Sequence, residues 1–323
     1  MIKAKAPGKI IITGEHAVVY GNPALAMAIK LCAKTILRKH TANKVLLFLR
    51  NLRYQEEFSF DELMKVKSDI DIRYAQFTKN EVNIKRVLRH PKDLLLYILA
   101  YSTEAFGIEL QEGINIEIKS EIPGGCGMGS SAAIIISMLK ALVFFFKVKI
   151  SPEKLWEMGR AIENLQHGKS SGLDIYVALH KGCVFFENGK FYKRDVTNIP
   201  FVLINTGKPS STTGLCVSEA AKHFKSGDLL EKFAAVARAI DEAAQKNDLV
   251  SLKTYIRENH RLLMQIGVVP NKVANFIASL EKRNIAAKVS GAGAVTGDNA
   301  GVVLVVGEGD IADLVFEHGY KFL

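Results

Sequence analysis

Short apolar runs punctuated by glycine and asparagine fill the first fifty residues, as in Lys9-Ile10-Ile11-Ile12-Thr13-Gly14 and Val45-Leu46-Leu47-Phe48-Leu49. Such runs predict strands joined by hairpins. Residues 51 to 90 are charged and weakly periodic, so the pattern assigns no element there. From Pro91 to Phe106 apolar residues fall at helical spacing, with proline placed for a first helical turn. Ile114-Asn115-Ile116-Glu117-Ile118 alternates as a half-buried strand does. The run from Ala132 to Phe146 is 15 residues with one lysine, too short to span a bilayer, and reads as a buried helix. Ser151-Pro152-Glu153-Lys154 predicts a capped helix reaching Gln166. Leu173 to Phe186 returns to strand character, Phe201-Val202-Leu203-Ile204-Asn205 is a further strand, and helical periodicity runs from Leu215 to Leu280. The tail reads strand, glycine turn, strand and helix.

A chain of 323 residues, 48% of them hydrophobic, is long enough for two ordinary cores. The pattern shift near residue 195 divides it into residues 1–195 and 196–323, and an α+β architecture is expected. The formal charge of +10 makes a field that attracts anions. The lysines and arginines are scattered and no aromatic-interleaved basic motif occurs, which argues against a nucleic-acid partner. Cys32, Cys126, Cys183 and Cys216 are widely spaced, with no CxxC pair, and read as reduced thiols. Three of them are expected in the core, whereas Cys126 lies where it could touch a ligand. Met1 to Ile12 lacks the long apolar segment of a signal peptide, so a cytoplasmic protein without membrane attachment is expected.

Three stretches are shaped for phosphate: Ala6-Pro7-Gly8-Lys9 leading into Gly14-Glu15-His16; Pro123-Gly124-Gly125-Cys126-Gly127-Met128-Gly129-Ser130-Ser131-Ala132; and Ser290-Gly291-Ala292-Gly293. In the second, glycines allow close backbone approach to an anion, and the serines stand where a long apolar helix begins, so amide groups and the positive helix end face outward together. Generic alternatives fail. The pattern GxxxxGK[ST] is broken at Gly168-Lys169-Ser170 because position 163 is Glu, and neither glycine loop spells GxGxxG. Gly168-Lys169-Ser170-Ser171-Gly172 matches GxSxG, but a hydrolase elbow needs a strand before it and a helix after it, the reverse of the order expected here. What remains is an ordered set: Lys9, Glu15, His16, Ser130, Glu163 and Asp174.

These three glycine motifs, in this order, resemble the GHMP kinase superfamily. Gly14-Glu15-His16-Ala17-Val18-Val19-Tyr20-Gly21, His167-Gly168-Lys169-Ser170-Ser171-Gly172-Leu173-Asp174 and the stretch from Asn205-Thr206 to Ser211-Thr212 are similar to the mevalonate kinase branch of that superfamily. The resemblance implies a two-domain fold, with an N-terminal domain like domain 2 of ribosomal protein S5 and a ferredoxin-like C-terminal domain. It implies ATP and Mg²⁺ as cofactors, mevalonate as acceptor, and a place in the mevalonate route to isoprenoids; a homodimer is left open. Gly124, Gly125, Cys126, Gly127, Met128, Gly129, Ser130, Ser131 and Ala132, with Gly291, Ala292 and Gly293, would cradle the triphosphate. Ser130 and Glu163 would hold the metal. Asp174 would accept the hydroxyl proton, Lys9 would orient the hydroxyl, and Glu15, His16 and Thr212 would face the acceptor.

The sequence departs from the family at two places. Ala294-Val295-Thr296-Gly297-Asp298-Asn299 follows Gly293 where a glycine run is usual, and Ser170 stands where proline is usual. Residues with a Cβ atom resist positive φ, so the third loop is expected to follow its own path. A sibling kinase acting on phosphomevalonate, a mevalonate kinase of other regiochemistry, or a metabolite sensor without turnover, are the competing readings.

Overall fold

The computed structural model describes residues 1–195, 199–224 and 228–323. The expected boundary between residues 195 and 196 abuts the first gap and lies outside the described residues. The chain forms two compact units, one of Met1–Gly8, Ile29–Ile122 and Gly129–His180, the other of Lys9–Ala28, Pro123–Met128 and Lys181–Leu323.

The first unit takes parts of two long strands, β1 (Ile2–Thr13) and β2 (Ala24–His40), which pair with each other. It adds the hairpin β3 (Lys44–Leu49) and β4 (Tyr54–Ser59), helices α1 (Phe60–Thr78) and α2 (Pro91–Phe106), strand β5 (Gly113–Ser120), and helices α3 (Ser130–Phe146), α4 (Pro152–His167) and α5 (Leu173–His180). Its sheet runs β4-β3-β5-β2, with β3 parallel to β5 and the other pairs antiparallel. Local chemistry sets the helix starts. Ser59 and Glu62 exchange hydrogen bonds in a capping box that opens α1, at 3.2 Å and 2.7 Å. Pro91 opens α2, and the Asp93 carboxylate accepts from the amides of Arg89 and His90. Ser151 accepts from the Lys154 amide to start α4. The apolar α3 buries Ala133, Ile135, Ile136, Met138 and Leu139, and Ser137 is satisfied by Thr35 of β2 at 2.9 Å.

The second unit adds β6 (Cys183–Glu187), β7 (Lys190–Arg194), β8 (Phe201–Gly207), α6 (Thr213–His223), α7 (Leu229–Gln245), α8 (Leu249–Gln265), α9 (Asn271–Lys282), β9 (Ala286–Ser290), β10 (Gly301–Val306), α10 (Ala312–Glu317) and β11 (Lys321–Phe322). The β6–β7 hairpin extends the first half of β2, and a separate antiparallel sheet runs β11-β8-β10-β9. Helices α8 and α9 pack on β9. The core between α9 and the sheet holds Ile204, Phe276, Ile277, Leu280, Val289 and Val303, each fully buried. Each such side chain contributes about 1.5–3 kcal/mol relative to exposure.

Two expectations are corrected. Residues 51 to 90, given no element, contain the 19-residue α1. Leu173 to Phe186, expected as strand, begins with helix α5, and only Cys183–Glu187 is strand. A short run with six apolar residues among eight satisfies either period, and the loop before it decides: the Tyr176 amide bonds to the Gly172 carbonyl at 2.9 Å, closing a helical turn. The GxSxG stretch therefore has a helix on both sides and still no preceding strand. Cys126, Cys183 and Cys216 are buried and Cys32 is partly exposed, all four as free thiols. No helix of the described residues is long and apolar enough to cross a membrane.

Candidate active site

The candidate residues divide between the units. Lys9, Glu15, His16, Gly124 to Met128, Thr212 and Gly291 to Gly293 belong to the second unit, and Gly129 to Ala132, Glu163 and Asp174 to the first.

In the first unit, α3 begins with an unusual cap. Gly129 sits at its N-cap with φ 68° and offers no side chain, so Ser130, Ser131 and Ala132 enter the helix without a side-chain cap, and the first turn has no acidic residue. A long helix with these features presents amides and a partial positive charge to whatever lies in front of it.

Behind α4, the loop 168–172 is held from several directions. Tyr74 Oη donates to the Gly168 carbonyl at 3.1 Å, Arg160 Nε to the Ser170 carbonyl at 3.2 Å, and Trp156 Nε1 to the Gly172 carbonyl at 3.0 Å. The Ser170 amide donates to Asn164 Oδ1 at 2.8 Å. Ser170 Oγ donates to the buried Glu163 carboxylate and accepts the Gly172 amide at 2.9 Å. The serine thus orients Glu163 and fixes the loop that delivers Asp174, partly exposed, to the first turn of α5. A proline could make neither bond.

In the second unit, the second and third glycine loops run backbone against backbone. A Cβ on Gly127 would stand 3.3 Å from Gly291 Cα, and one on Gly291 would stand 3.1 Å from Gly127 Cα; their φ values are 76° and 94°. Only glycine meets both demands. The Lys9 amide donates to the Met128 carbonyl at 2.9 Å, fixing the first strand to the second loop. Ser290 Oγ donates to the Ile11 carbonyl at 2.9 Å and accepts the Ile11 amide at 3.0 Å. His16 Nε2 lies 3.1 Å from the Ala292 carbonyl. Since a carbonyl only accepts, Nε2 carries the proton and Nδ1 presents a lone pair.

Beneath this layer Lys288 Nζ donates to Glu15 Oε1, both side chains being buried. Burial lowers the Lys288 pKa, opposed by Glu15 and reinforced by Lys9. Burial also lowers His16 to about 4, with the Lys288 charge acting in the same direction. His260 of α8 falls to about 4 for the same reasons, burial first and then Lys288 and Arg261. Both imidazoles are neutral at pH 7.

Cys126 is buried within its loop and desolvation raises its pKa, with Lys208 opposing, so the thiol stays protonated. Thr212 caps α6, its Oγ1 accepting the Leu215 amide at 3.3 Å. The sequence alone assigns no individual role to Lys208, Ser211 or Lys288. Lys208 lies over Gly125, where a Cβ would meet its Cε at 3.4 Å. Its one signal was its position in the stretch from Asn205 to Thr212.

The donor set fits a magnesium ion. Ser130 and Glu163 offer one hydroxyl and one carboxylate, hard oxygens of the kind Mg²⁺ takes alongside water and phosphate.

Residues 93–182 match the family model for the GHMP kinases N terminal domain. A mevalonate kinase of Thermococcus sibiricus is 30% identical over 311 residues, covering 90% of this chain and 86% of its own length. One from Archaeoglobus fulgidus is 32% identical over 295 residues, covering 90% and 88%. The crystal structure of the Methanococcus jannaschii mevalonate kinase superposes with a TM-score of 0.81 at 25% identity, over 99% of this chain and 96% of that one. The chain belongs to the GHMP kinase family, and its two-unit α+β fold is the fold of that family. It is an enzyme, a kinase of the mevalonate kinase branch.

Proposed function

We propose that this kinase transfers the γ-phosphoryl group of ATP to the primary hydroxyl of mevalonate, giving 5-phosphomevalonate. The observation that carries the phosphate half of this reading is the α3 mouth, where a left-handed glycine, three uncapped residues and no acid favour a bound anion. The acceptor half is supported by the names of the relatives. The division into residues 1–195 and 196–323 and a cytoplasmic location belong to the same reading.

In-line transfer needs an oriented hydroxyl, a destination for its proton and compensation of phosphate charge. Asp174 accepts the proton and Lys9 orients the oxygen and stabilises its developing charge. The amides from Gly125 to Ser131 cradle the phosphates, and Lys208, lying over Gly125, adds a cation. Ser130 and Glu163 would hold Mg²⁺, which would supply charge neutralisation at the phosphate oxygens. Thr212 and His16 face the acceptor. Neutral His16, its Nε2–H given to Ala292, has only the buried, unpartnered Nδ1 left as an acceptor, which suits a hydroxyl that reaches it. Glu15 acts behind it through Lys288.

The test is ADP release by purified protein with Mg-ATP, offered mevalonate, phosphomevalonate, galactose and homoserine in turn, with phosphorus NMR of the product. Turnover with mevalonate and a phosphomonoester at C5 are expected. Turnover with phosphomevalonate alone would transfer the assignment to the sibling kinase, and nucleotide binding without turnover would make the protein a sensor.

A further inference from the structure

The third glycine loop ends, as a source of amides for a ligand, at Gly293. Among the described residues, the amides of Gly291, Ala292 and Gly293 donate to no protein acceptor. The next three are all taken internally. The Ala294 amide donates to the Val268 carbonyl at 2.9 Å, and the amides of Val295 and Thr296 both donate to Ser211 Oγ, at 3.0 and 3.1 Å. Ser211 Oγ also lies 3.2 Å from Thr296 Oγ1, and the residue is buried. Successive amides turned toward one oxygen form the same concave arrangement that a phosphate oxygen occupies in an anion nest. Here that position is filled by the protein's own hydroxyl.

The contacts continue along both strands of chain. Gly207 has no room for a Cβ beside the Asn299 side chain, nor has Gly297 beside Ser210. Thr206 Oγ1 accepts the Ala300 amide at 3.0 Å and donates to the Gly301 carbonyl at 3.0 Å. Residues 294–301 are therefore laced to residues 206–212, the stretch that carries Lys208 and Thr212. The side chains at 294–296, which disfavour the positive φ of a glycine-rich cradle, are compatible with this use, and none of the three residues adopts a positive φ.

We infer that Ser211 is a positioning residue: it closes the far half of the third loop against phosphate and makes it the backing that holds Thr212 toward the acceptor. The inference rests on the kinase reading for its acceptor half only. Nucleotide contact through this loop is then confined to Gly291–Gly293.

Ser211→Ala separates the alternatives because they move nucleotide affinity differently. It removes a hydroxyl without adding bulk and releases two amides. If the segment is backing, KM for mevalonate rises by about tenfold, the scale of a lost buried hydrogen-bond group, while kcat and ATP affinity by calorimetry stay within about twofold. Amide exchange should accelerate at Val295 and Thr296 and not at Gly291 to Gly293. Thr296→Val, which leaves both amides on Ser211, should reproduce neither effect. Tighter ATP binding by Ser211→Ala would overturn the inference, since the freed amides would then be phosphate donors. So would unchanged exchange at 295 and 296, or an unchanged acceptor KM. Should wild type fail to phosphorylate mevalonate, calorimetry and exchange still test the closed loop, so the two failures are distinguishable.

Discussion

Lys288 lies in the middle of β9 with no exposed surface and donates to Glu15, 273 positions earlier in the chain. The pair ties the Gly14-Glu15-His16 turn to the strand that feeds the third glycine loop, parallel to the Ser290–Ile11 and His16–Ala292 contacts. Such a pair fixes geometry more than it adds net stability, because desolvating both charges costs nearly what their attraction returns.

Removing one member is a different matter. Lys288→Met leaves a buried carboxylate uncompensated and should cost about 3–5 kcal/mol in denaturant unfolding. Glu15→Gln combined with Lys288→Met removes both charges and should recover most of that loss while leaving turnover impaired. If the single and double variants unfold alike, the coupling between the two residues does not exist.

The two neutral histidines make the fold sensitive to acid. His16 and His260 titrate at about 4 in the folded chain against 6.5 for the ordinary group. Between those values the unfolded chain binds protons that the folded chain refuses, so stability rises with pH across this window. Each imidazole contributes roughly 3 kcal/mol that is fully present above pH 6.5 and lost as pH falls to 4. Thermal unfolding followed from pH 7 to 4 should show this decline. His260→Gln should make it about half as steep, since one of two equivalent titrations is gone.

Asp174 opens α5, so its neutral variant should fold. Asp174→Asn should lose about 10²- to 10⁴-fold in kcat, the scale of a missing general base, and about 0.3–1 kcal/mol of helix-end stabilisation. Calorimetry should find ATP affinity preserved. Turnover at the wild-type rate would take Asp174 out of the reaction.

Gly291→Ala tests the close approach of the two loops. The alanine would be held at a φ of 94° with its Cβ 3.1 Å from Gly127 Cα, and should cost about 1–3 kcal/mol in strain, with a weakened nucleotide Kd. An alanine variant that binds ATP as tightly as wild type would show that the loops can part freely.

What could be read from the chain, and what could not, follows the range of the interactions. Helix α2 was legible from Pro91 to Phe106 because its start, its stripe and the following Gly107 at φ 65° are all local. Helix α1 was not, since only Leu63 and Ile70 of its 19 residues are buried and the stripe is too thin to register; the Ser59–Glu62 capping box was the signal available. Asp174 stands out together with its glycine-rich approach, but the helix around it does not, because six apolar residues among eight fit both periods. Lys288 sits among apolar neighbours in β9, and nothing nearby marks its partner. Ser211 finds its amides 84 and 85 positions away, beyond what any local pattern carries.

The bare amides at the start of α3 carry a consequence for the protein between catalytic cycles. A helix end left without a cap is completed by its ligand, so the folded state should gain RT ln(1 + [L]/Kd) from whatever phosphate compound occupies it. The cell's ATP pool would then act as a stabilising cosolute for this enzyme.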